Sequence, residues 1–410
     1  MPDDLEQPRS ALRSSNFRIF ICGNSVSVIG LWIQRLAFGW QAWQLSESPL
    51  VVGLVAAAQF FPLFLLTPFF GVIVDRIRRR QAAIVMHVIM TIISTALAVL
   101  TVQGAITIEW LLALALANGI AYSAYSPIRL SLIPELVEPA QFPSAVAINS
   151  IVFNASRFIG PGIAGSIVAL YGIGLAYAVN AVTYLPIIAA LLYIKPIATA
   201  PAPAASGNYI DQLLEGIRYT RDHPSIRQVI LLAGVSTFFG RGIIEIFPAL
   251  VALIFGGGSA QLAAVMASAG AGAIAASIIF SILRSHHRLP AMVLIGAVGV
   301  GISMLLYANV VQIMSGLIVT TLLGFFATMV SIGSQSEMQI KVDNKLRGRV
   351  MSLWTLVIIG GPAIGSIVAG ALVRELGSTW TLLLFAGISL FLTALVALRR
   401  QTHGAVAGKD

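Results

Sequence analysis

The chain has 410 residues, of which 58% are hydrophobic and only 10% are charged, and its mean hydropathy is +0.90. The core of a water-soluble domain cannot bury so much apolar surface, so a soluble protein is excluded and a chain embedded in lipid is predicted. The formal net charge is +9. Because the basic residues lie mainly between apolar stretches, we expect them to contact anionic lipid headgroups, and we expect no nucleic-acid surface.

Twelve apolar stretches follow one another along the chain, each about 20 residues or more, the length at which a helix crosses roughly 30 Å of hydrocarbon. They lie at about 17–44, 50–74, 82–103, 108–128, 142–170, 174–194, 226–255, 260–283, 290–308, 311–340, 348–374 and 379–398. The stretches are continuous and rich in Gly and Ala, as packed membrane helices are, whereas barrel strands would alternate over about 10 residues. The sequence therefore predicts an all-α polytopic membrane protein.

The basic residues predict how these helices are oriented. Of the 25 Lys and Arg, only a few fall away from the expected cytoplasmic ends of the spans, within spans or on the far side, namely Arg35, Arg157, Arg241 and Arg374. The loops that hold the others are expected in the cytoplasm, because basic residues are retained on that side. The first 16 residues are polar, and the apolar run after them is too long for a cleavable signal. We therefore expect the first span to be retained and both termini to be cytoplasmic.

One long polar interruption, residues 195–225, separates an N-terminal six-helix bundle (1–194) from a C-terminal six-helix bundle (226–410). Its first part is rich in Pro and Ala and is typical of an extended linker. Residues 209–221 then place four apolar side chains on one helical face: Ile210, Leu213, Leu214 and Ile217. This pattern predicts a short amphipathic helix on the cytoplasmic membrane surface.

The two halves also repeat a short pattern. GPGIAGSIVA (160–169) in the fifth span is echoed by GPAIGSIVAG (361–370) in the eleventh. A parallel repeat explains this echo, with two six-helix bundles related by an axis along the membrane normal. Such an arrangement can rock about a central binding site.

The sequence GVIVDRIRRR (71–80), between spans 2 and 3, holds five ionised side chains in ten positions. The positive-inside rule accounts for its arginines. It does not account for Gly71 or Asp75, because an acid contributes little to that rule and a glycine contributes nothing.

This loop and several other stretches resemble a known family. The pattern Gly71-x-x-x-Asp75-Arg76-x-x-Arg79-Arg80 resembles the signature loop of the major facilitator superfamily, which joins spans 2 and 3. Further stretches, spread over nearly the whole chain, resemble the transmembrane secretion effector branch related to enterobactin exporters. They are IGLWIQRLAFGW (29–40), SPIRLSLIPELVEP (126–139), NSIVFNASRFIGPGIAG (149–165) and LRGRVMSL (346–353).

The resemblance implies a secondary transporter of the bacterial inner membrane that works by alternating access, acts as a monomer and exports amphiphilic molecules such as drugs or siderophores. It also implies that Asp75 latches the two halves near the start of span 11, where the positive end of a helix would stabilise a carboxylate. Gly71 would permit a close backbone approach. No ATP-binding G-x-x-x-x-G-K-[ST] motif occurs. A gradient must therefore supply the energy unless transport is passive, and the family favours protons.

Charged side chains within hydrocarbon are costly and are functional candidates by default. Arg35 in span 1 and Arg241 in span 7 occupy roughly corresponding depths, and Arg157 lies midway along span 5. Glu245, one turn after Arg241, is the carboxylate that we place well inside a span. With three buried positive charges against one negative charge, the sequence favours a substrate that bears an anionic group. Candidate apolar and hydrogen-bonding contacts are Trp32, Trp40, Phe60, Phe61, Gln34, Gln59 and Asn154.

Each candidate also has a structural interpretation. Arg241 and Glu245 could neutralise each other at i,i+4 spacing. Arg35 could extend to the outer interface, and Arg157 could brace packed helices. The amides of Gln34, Gln59 and Asn154 could hold helices together, and His87 could be a packed polar residue. His286 and His287 lack Cys or acid partners, so we predict no metal site and no cofactor.

The leading hypothesis is a proton-coupled exporter of a small amphiphilic, anionic molecule such as a siderophore, drug or secondary metabolite. Many relatives carry an acid before the span 1 tryptophan, where this chain has Gly39 and Trp40. The role of proton carrier then passes to Glu245 by elimination. The alternatives are a facilitator that moves lysophospholipid between leaflets and a receptor that transports nothing. We expect no enzyme, because the spans show no His/Asp cluster and no Ser/His pair.

Overall fold

The computed structural model describes residues 10–195, 209–283 and 289–407. Within these residues, twelve helices are long and apolar enough to cross a membrane. Every predicted span overlaps one of them, so the all-α polytopic fold is confirmed. Two parts of the earlier predictions, the Pro- and Ala-rich linker at 196–208 and the pair His286 and His287, lie outside the described residues.

The first half of the chain contributes six long helices. They are α1 (Ser15–Ser46), α2 (Pro49–Ile73), α3 (Arg79–Val102), α4 (Ile108–Leu132), α5 (Phe142–Tyr171) and α6 (Ile173–Tyr193). Four short 3-10 helices accompany them, at Ala11–Arg13, Val74–Arg76, Ile133–Leu136 and Pro139–Gln141. The tight turn between α5 and α6 is made at Gly172, whose φ of 85° is readily adopted only by glycine.

The second half begins with the helix of the linker and contains a broken span. Its helices are α7 (Tyr209–Asp222), α8 (Pro224–Val235), α9 (Gly242–Glu245), α10 (Phe247–Phe255), α11 (Ser259–Leu283), α12 (Leu289–Tyr307), α13 (Ile313–Lys341), α14 (Asn344–Leu376) and α15 (Ser378–Ala407). A π-helical segment at Ser236–Arg241 joins α8 to α9. The predicted span 226–255 is therefore a series of shorter helices.

The chain divides into two compact units. The first comprises Met1–Phe38 and Pro62–Ala205, and the second comprises Gly39–Phe61 and Ser206–Asp410. The end of α1 and the beginning of α2 thus belong to the second unit. The domain limits expected from the sequence, at residues 194 and 226, stay predictions.

Hydrogen bonds between side chains hold α1, α3 and α6 together inside the first unit. Asn180 of α6 donates to the Gln34 Oε1 atom at 2.5 Å and to the Ser94 Oγ atom at 3.1 Å. Ser94 itself donates to Gln34 Oε1 at 2.5 Å. All three side chains are buried. Since lipid offers no water to replace these partners, the cluster fixes the positions of the three helices.

Small residues bring helices of the second unit into close contact. A Cβ atom added at Gly272 of α11 would meet the backbone oxygen of Thr321 in α13, and one added at Gly324 would meet the backbone oxygen of Ala269. The two glycines therefore allow α11 and α13 to approach almost backbone to backbone. Dense packing of this kind substitutes for the hydrophobic effect, which is missing between helices in lipid.

The linker helix α7 packs against α14. Glu215 forms an ion pair with Arg349, and Gly216 is buried against the backbone of that same arginine. Leu214 and Ile217, two members of the predicted apolar face, are exposed in the described chain. The helix expected from the pattern at 209–221 therefore has one face on α14 and leaves two apolar side chains outside this contact.

Candidate functional site

Three of the predicted site residues come together in the first unit. Trp32 and Arg35 lie on α1, and Arg157 lies on α5. The Arg35 guanidinium carbon is 5.1 Å from the centre of the Trp32 ring, and the Arg157 guanidinium carbon is 5.8 Å from it. Phe153, one turn before Arg157, meets the ring edge-on at 5.8 Å. We call Trp32, Arg35, Phe153 and Arg157 the Trp32 site.

The tryptophan is held in place by close helix packing. A Cβ atom added at Gly160 of α5 would lie 2.4 Å from the Trp32 Cβ atom, so α1 and α5 approach here only because residue 160 is glycine. Trp32 is 8% exposed, and its Nε1 atom is buried without a hydrogen-bond partner among the described residues. The indole thus keeps an unused donor beside two cations.

The Trp32 site combines two guanidinium groups, which can bind an anion, with two aromatic rings, which can contact an apolar group. A guanidinium presents several N–H donors in a plane and matches a carboxylate in two places at once. An aromatic face stabilises the cation and can also contact the apolar part of a ligand. Arg35 and Arg157 are half-buried, so their charges are partly shielded from solvent and act at short range.

In the second unit, Arg241 and Glu245 lie where span 7 is irregular. Arg241 is the last residue of the π-helical segment, and Glu245 is the last residue of α9. The helix breaks at Ile246, whose ψ of 11° is outside the α range. A Cβ atom added at Gly242 would come within 2.7 Å of the Gly365 backbone, so the broken span crosses α14 closely. Single π-helical turns of this kind occur frequently at functional sites.

The other predicted contact residues are spread over both units. Gln34 is 1% exposed, and its oxygen is used by Ser94 and Asn180, which supports the packing interpretation. Gln59 and Asn154 each donate to the backbone oxygen four residues earlier in their own helices. Trp40 is buried in the second unit. Their roles in binding stay predictions.

The loop at 71–80 contains two anchoring arginines. Arg79 donates to Glu135 at 2.6 Å, and Arg80 donates to the backbone oxygens of Leu191 and Leu192 at 2.5 and 2.7 Å. Arg76 is exposed, and the side chain of Asp75 lies outside the described part of the structure. In the described part of the chain, no atom of another segment lies within 4 Å of a Cβ added at Gly71, so no close backbone approach is seen there. Arg79 thus joins the start of α3 to the 3-10 helix at Ile133–Leu136, and Arg80 joins it to the end of α6.

Two largely buried carboxylates, Glu135 and Glu337, were not predicted from the sequence. Glu135 is the partner of Arg79, and the side chains are 17% and 18% exposed. Glu337, near the end of α13, is 1% exposed and lies 2.5 Å from the Lys341 Nζ atom. The i,i+4 spacing of Glu337 and Lys341 was a usable signal for this pair. Glu245 is therefore not the only acid withdrawn from solvent along the described spans.

Comparisons with known proteins agree with this architecture. Residues 7–406 match the family described as transmembrane secretion effector. The chain is 24% identical over 340 residues to a staphyloferrin A transporter of Staphylococcus aureus, covering 82% of this chain and 84% of that protein. It is 25% identical over 408 residues to an enterobactin exporter of Escherichia coli O1:K1, covering 96% and 95%.

Solved transporters share the fold. A bacterial homologue of the human lysosomal transporter Spinster, in an inward-facing conformation, superposes with a TM-score of 0.72 at 13% identity, covering 94% of this chain and 95% of that chain. The POT family transporter PepTSo gives a TM-score of 0.74 at 12% identity, covering 96% and 99%.

Proposed function

The chain belongs to the transmembrane secretion effector family of the major facilitator superfamily, and from that membership we propose that it exports small amphiphilic molecules bearing an anionic group, siderophores among them. It is a multi-pass membrane transporter. Export is directed from the cytoplasm of a bacterial cell across the inner membrane, by a monomer with both termini inside.

The observation that carries the proposal is the Trp32 site. Two guanidinium groups, one on α1 and one on α5, share one indole ring within membrane spans, and charged side chains in such surroundings mark substrate and ion pathways. Arg35 and Arg157 would bind the anionic group, while Trp32 and Phe153 would contact the apolar part. The names of the two relatives, a staphyloferrin A transporter and an enterobactin exporter, support a siderophore as cargo.

Alternating access driven by protons is the mechanism that we propose, with Glu245 as the group that takes up the proton. A second driving force acts on the same cargo. Moving one elementary charge across a membrane potential of 100 mV changes its free energy by about 2.3 kcal/mol. A negative cell interior therefore favours the exit of an anion. The proton gradient and the membrane potential would both drive an anionic cargo out of the cell, as an exporter requires.

Proteoliposomes test this function with iron-free staphyloferrin A and enterobactin as cargo. We expect uphill movement when a pH gradient is imposed and slower movement with a potential alone. Equal movement without either gradient would instead favour a facilitator, and lysophospholipid would then be the next cargo to measure. A protein that moves none of these compounds would be a receptor.

A matched pair of variants shows whether the Trp32 site takes part. Arg35→Gln removes a guanidinium from the site, whereas Arg374→Gln removes one from the exposed end of α14, where Arg374 lies 3.4 Å from Glu375. We expect only the first variant to lose export of the anionic cargo. An equal loss in both variants would contradict the binding role.

A further inference from the structure

A polar cleft that contains no residue of the Trp32 site lies inside the first unit. Four helices line it, namely α1 with Asn24, α3 with His87, α4 with Tyr122, Tyr125 and Arg129, and α6 with Tyr184. Its empty volume is about 280 Å³, the open space at its mouth included. The enclosed part admits a group about the size of one water molecule. None of the residues predicted from the sequence as binding contacts lines this cleft.

Buried polar atoms in the cleft have no partner among the described residues. Asn24 is 1% exposed and its Nδ2 atom is unpaired, although its oxygen accepts a bond from Tyr125 at 3.4 Å. His87 is fully buried and its Nε2 atom is unpaired. The Nε atom of Arg129 is also buried and unpaired. Such atoms are costly to leave unsatisfied, so the cleft is built to receive a polar group.

The hydrogen bonding of His87 determines which group fits. Its Nδ1 atom lies 2.8 Å from the backbone oxygen of Ala83, which can only accept, so Nδ1 carries the ring proton. The neutral imidazole then presents an acceptor at Nε2. Asn24 Nδ2 and Arg129 Nε can only donate. The cleft therefore contains one unpaired acceptor, His87 Nε2, and two unpaired donors, Asn24 Nδ2 and Arg129 Nε.

A hydroxyl group satisfies this pattern, because its proton binds an acceptor while its oxygen accepts from two donors. The surroundings are aromatic, since the His87 ring lies 4.4 Å from the Tyr125 ring and 5.8 Å from the Tyr184 ring. Aromatic walls favour a flat, apolar body behind the hydroxyl group. A carboxylate fits less well, because it would place a second acceptor against His87 Nε2.

We propose that the cleft of Asn24, His87 and Arg129 is a subsite that binds a ring hydroxyl of the exported molecule. The inference rests on the proposed function. Asn24 and Trp32 are eight residues apart on α1, or about 12 Å along the helix axis. The cargo would then carry its phenolic hydroxyl about that far from its anionic group, with one part in each site.

Nuclear magnetic resonance of histidine tests the subsite without any transport. The chain has five histidines. The wild-type protein in lipid nanodiscs, labelled with ¹⁵N in its histidines, is titrated with phenol and, separately, with anisole, which has nearly the same shape but no proton to donate. We expect phenol to shift the Nε2 signal of His87 saturably and anisole to leave it unchanged. Loss of that signal in His87→Phe assigns it.

His223 is the matched control within the same spectrum. Its Nδ1 atom also lies 2.8 Å from the backbone oxygen four residues earlier, but the side chain is exposed and belongs to the second unit. Its signal should not move with phenol. Asn24→Leu should weaken phenol binding about tenfold, the usual effect of removing one hydrogen bond to a buried group.

Two results would overturn the proposal. A shift of equal size with phenol and anisole, or no saturable shift with either, would mean that the cleft holds only water. The comparison of the two probes uses the wild-type protein, and a histidine signal that shifts saturably with phenol and not with anisole supports the subsite even if Asn24→Leu fails to fold. Absence of export in proteoliposomes would refute the proposed function, whereas the probe titration decides the subsite independently.

Discussion

The first span of each half carries an arginine, yet the two spans accommodate it differently. α1 is one uninterrupted helix of 32 residues, and Arg35 lies over the ring of Trp32. In span 7, Arg241 ends a π-helical segment, and the helix breaks again after Glu245. The Arg35 charge is stabilised by the Trp32 ring, whereas Arg241 lies where the backbone is irregular. A continuous helix suits a fixed binding surface, whereas a broken one can change its φ and ψ angles.

The largest expected effect tests the broken span. If Glu245 carries the proton, Glu245→Gln abolishes uphill export driven by a pH gradient and leaves downhill exchange measurable in proteoliposomes. A structural ion pair gives another result, because the single change would leave Arg241 without a neutralising partner and reduce the folded yield. The double change to Gln at both positions would then restore yield and coupled export. Coupled export that survives in Glu245→Gln would disprove the proton-carrier role.

The next prediction compares the two arginines directly. Arg35→Gln and Arg241→Gln should each weaken binding of anionic cargo by about 1–3 kcal/mol, the scale of a charge-assisted hydrogen bond. Binding to the purified variants is measured by titration calorimetry, with a neutral compound of similar size as the reference ligand. A similar loss for neutral and anionic ligands would show that the arginines support the fold instead.

A third prediction sharpens the role of the continuous helix. Gly160→Ala should push Trp32 away from its position and lower the free energy of unfolding by about 1–3 kcal/mol, as overpacking does. Gly162→Ala is the matched control in the same helix, because no described atom outside that helix turn lies within 4 Å of a Cβ added there. Thermal unfolding of both variants and their affinity for cargo are the measurements. If the two variants behave alike, α5 does not position the tryptophan.

The smallest effect is expected outside both spans. Asp75→Asn should leave expression and cargo binding intact and slow export severalfold, because it changes a proposed latch and not a binding site. Initial rates in proteoliposomes measure the change. Arg76→Gln, at the exposed neighbouring position, serves as the control. Export at the wild-type rate in Asp75→Asn would refute the latch.

The fold could be predicted because lipid imposes simple rules. Each span must be apolar, helical and about 20 residues long, and the sequence of α1 or α12 shows this directly. The broken span was harder to foresee. Residues 226–255 form one apolar stretch in the sequence. Within it, Gly240, Gly242 and Pro248 are the residues that indicate a break in the helix. The same segment lies in close contact with Gly365 of α14, and a contact between distant parts of the chain is contained in no local pattern.

The candidate site was predictable in its residues and not in its contacts. Rare charges in apolar helices singled out Arg35 and Arg157, because such charges are expensive. Their meeting on one indole ring depends on how α1 packs against α5 at Gly160. His87 was expected to be a packed polar residue, and the unpaired Nε2 atom became visible only with the neighbouring helices in place.

The hydrogen bonds of Asn180 have a consequence for the biogenesis of the protein. Gln34 and Ser94 enter the membrane with the first and third spans, well before the ribosome has made α6. Until Asn180 arrives, both side chains lack the amide donor that they share in the finished bundle. Synthesis runs from the N-terminus, so the first bundle can close only when its last helix has been inserted. Insertion of the sixth span thus completes the hydrogen-bonded cluster of the first bundle. We expect chains truncated before this span to be degraded by quality-control proteases.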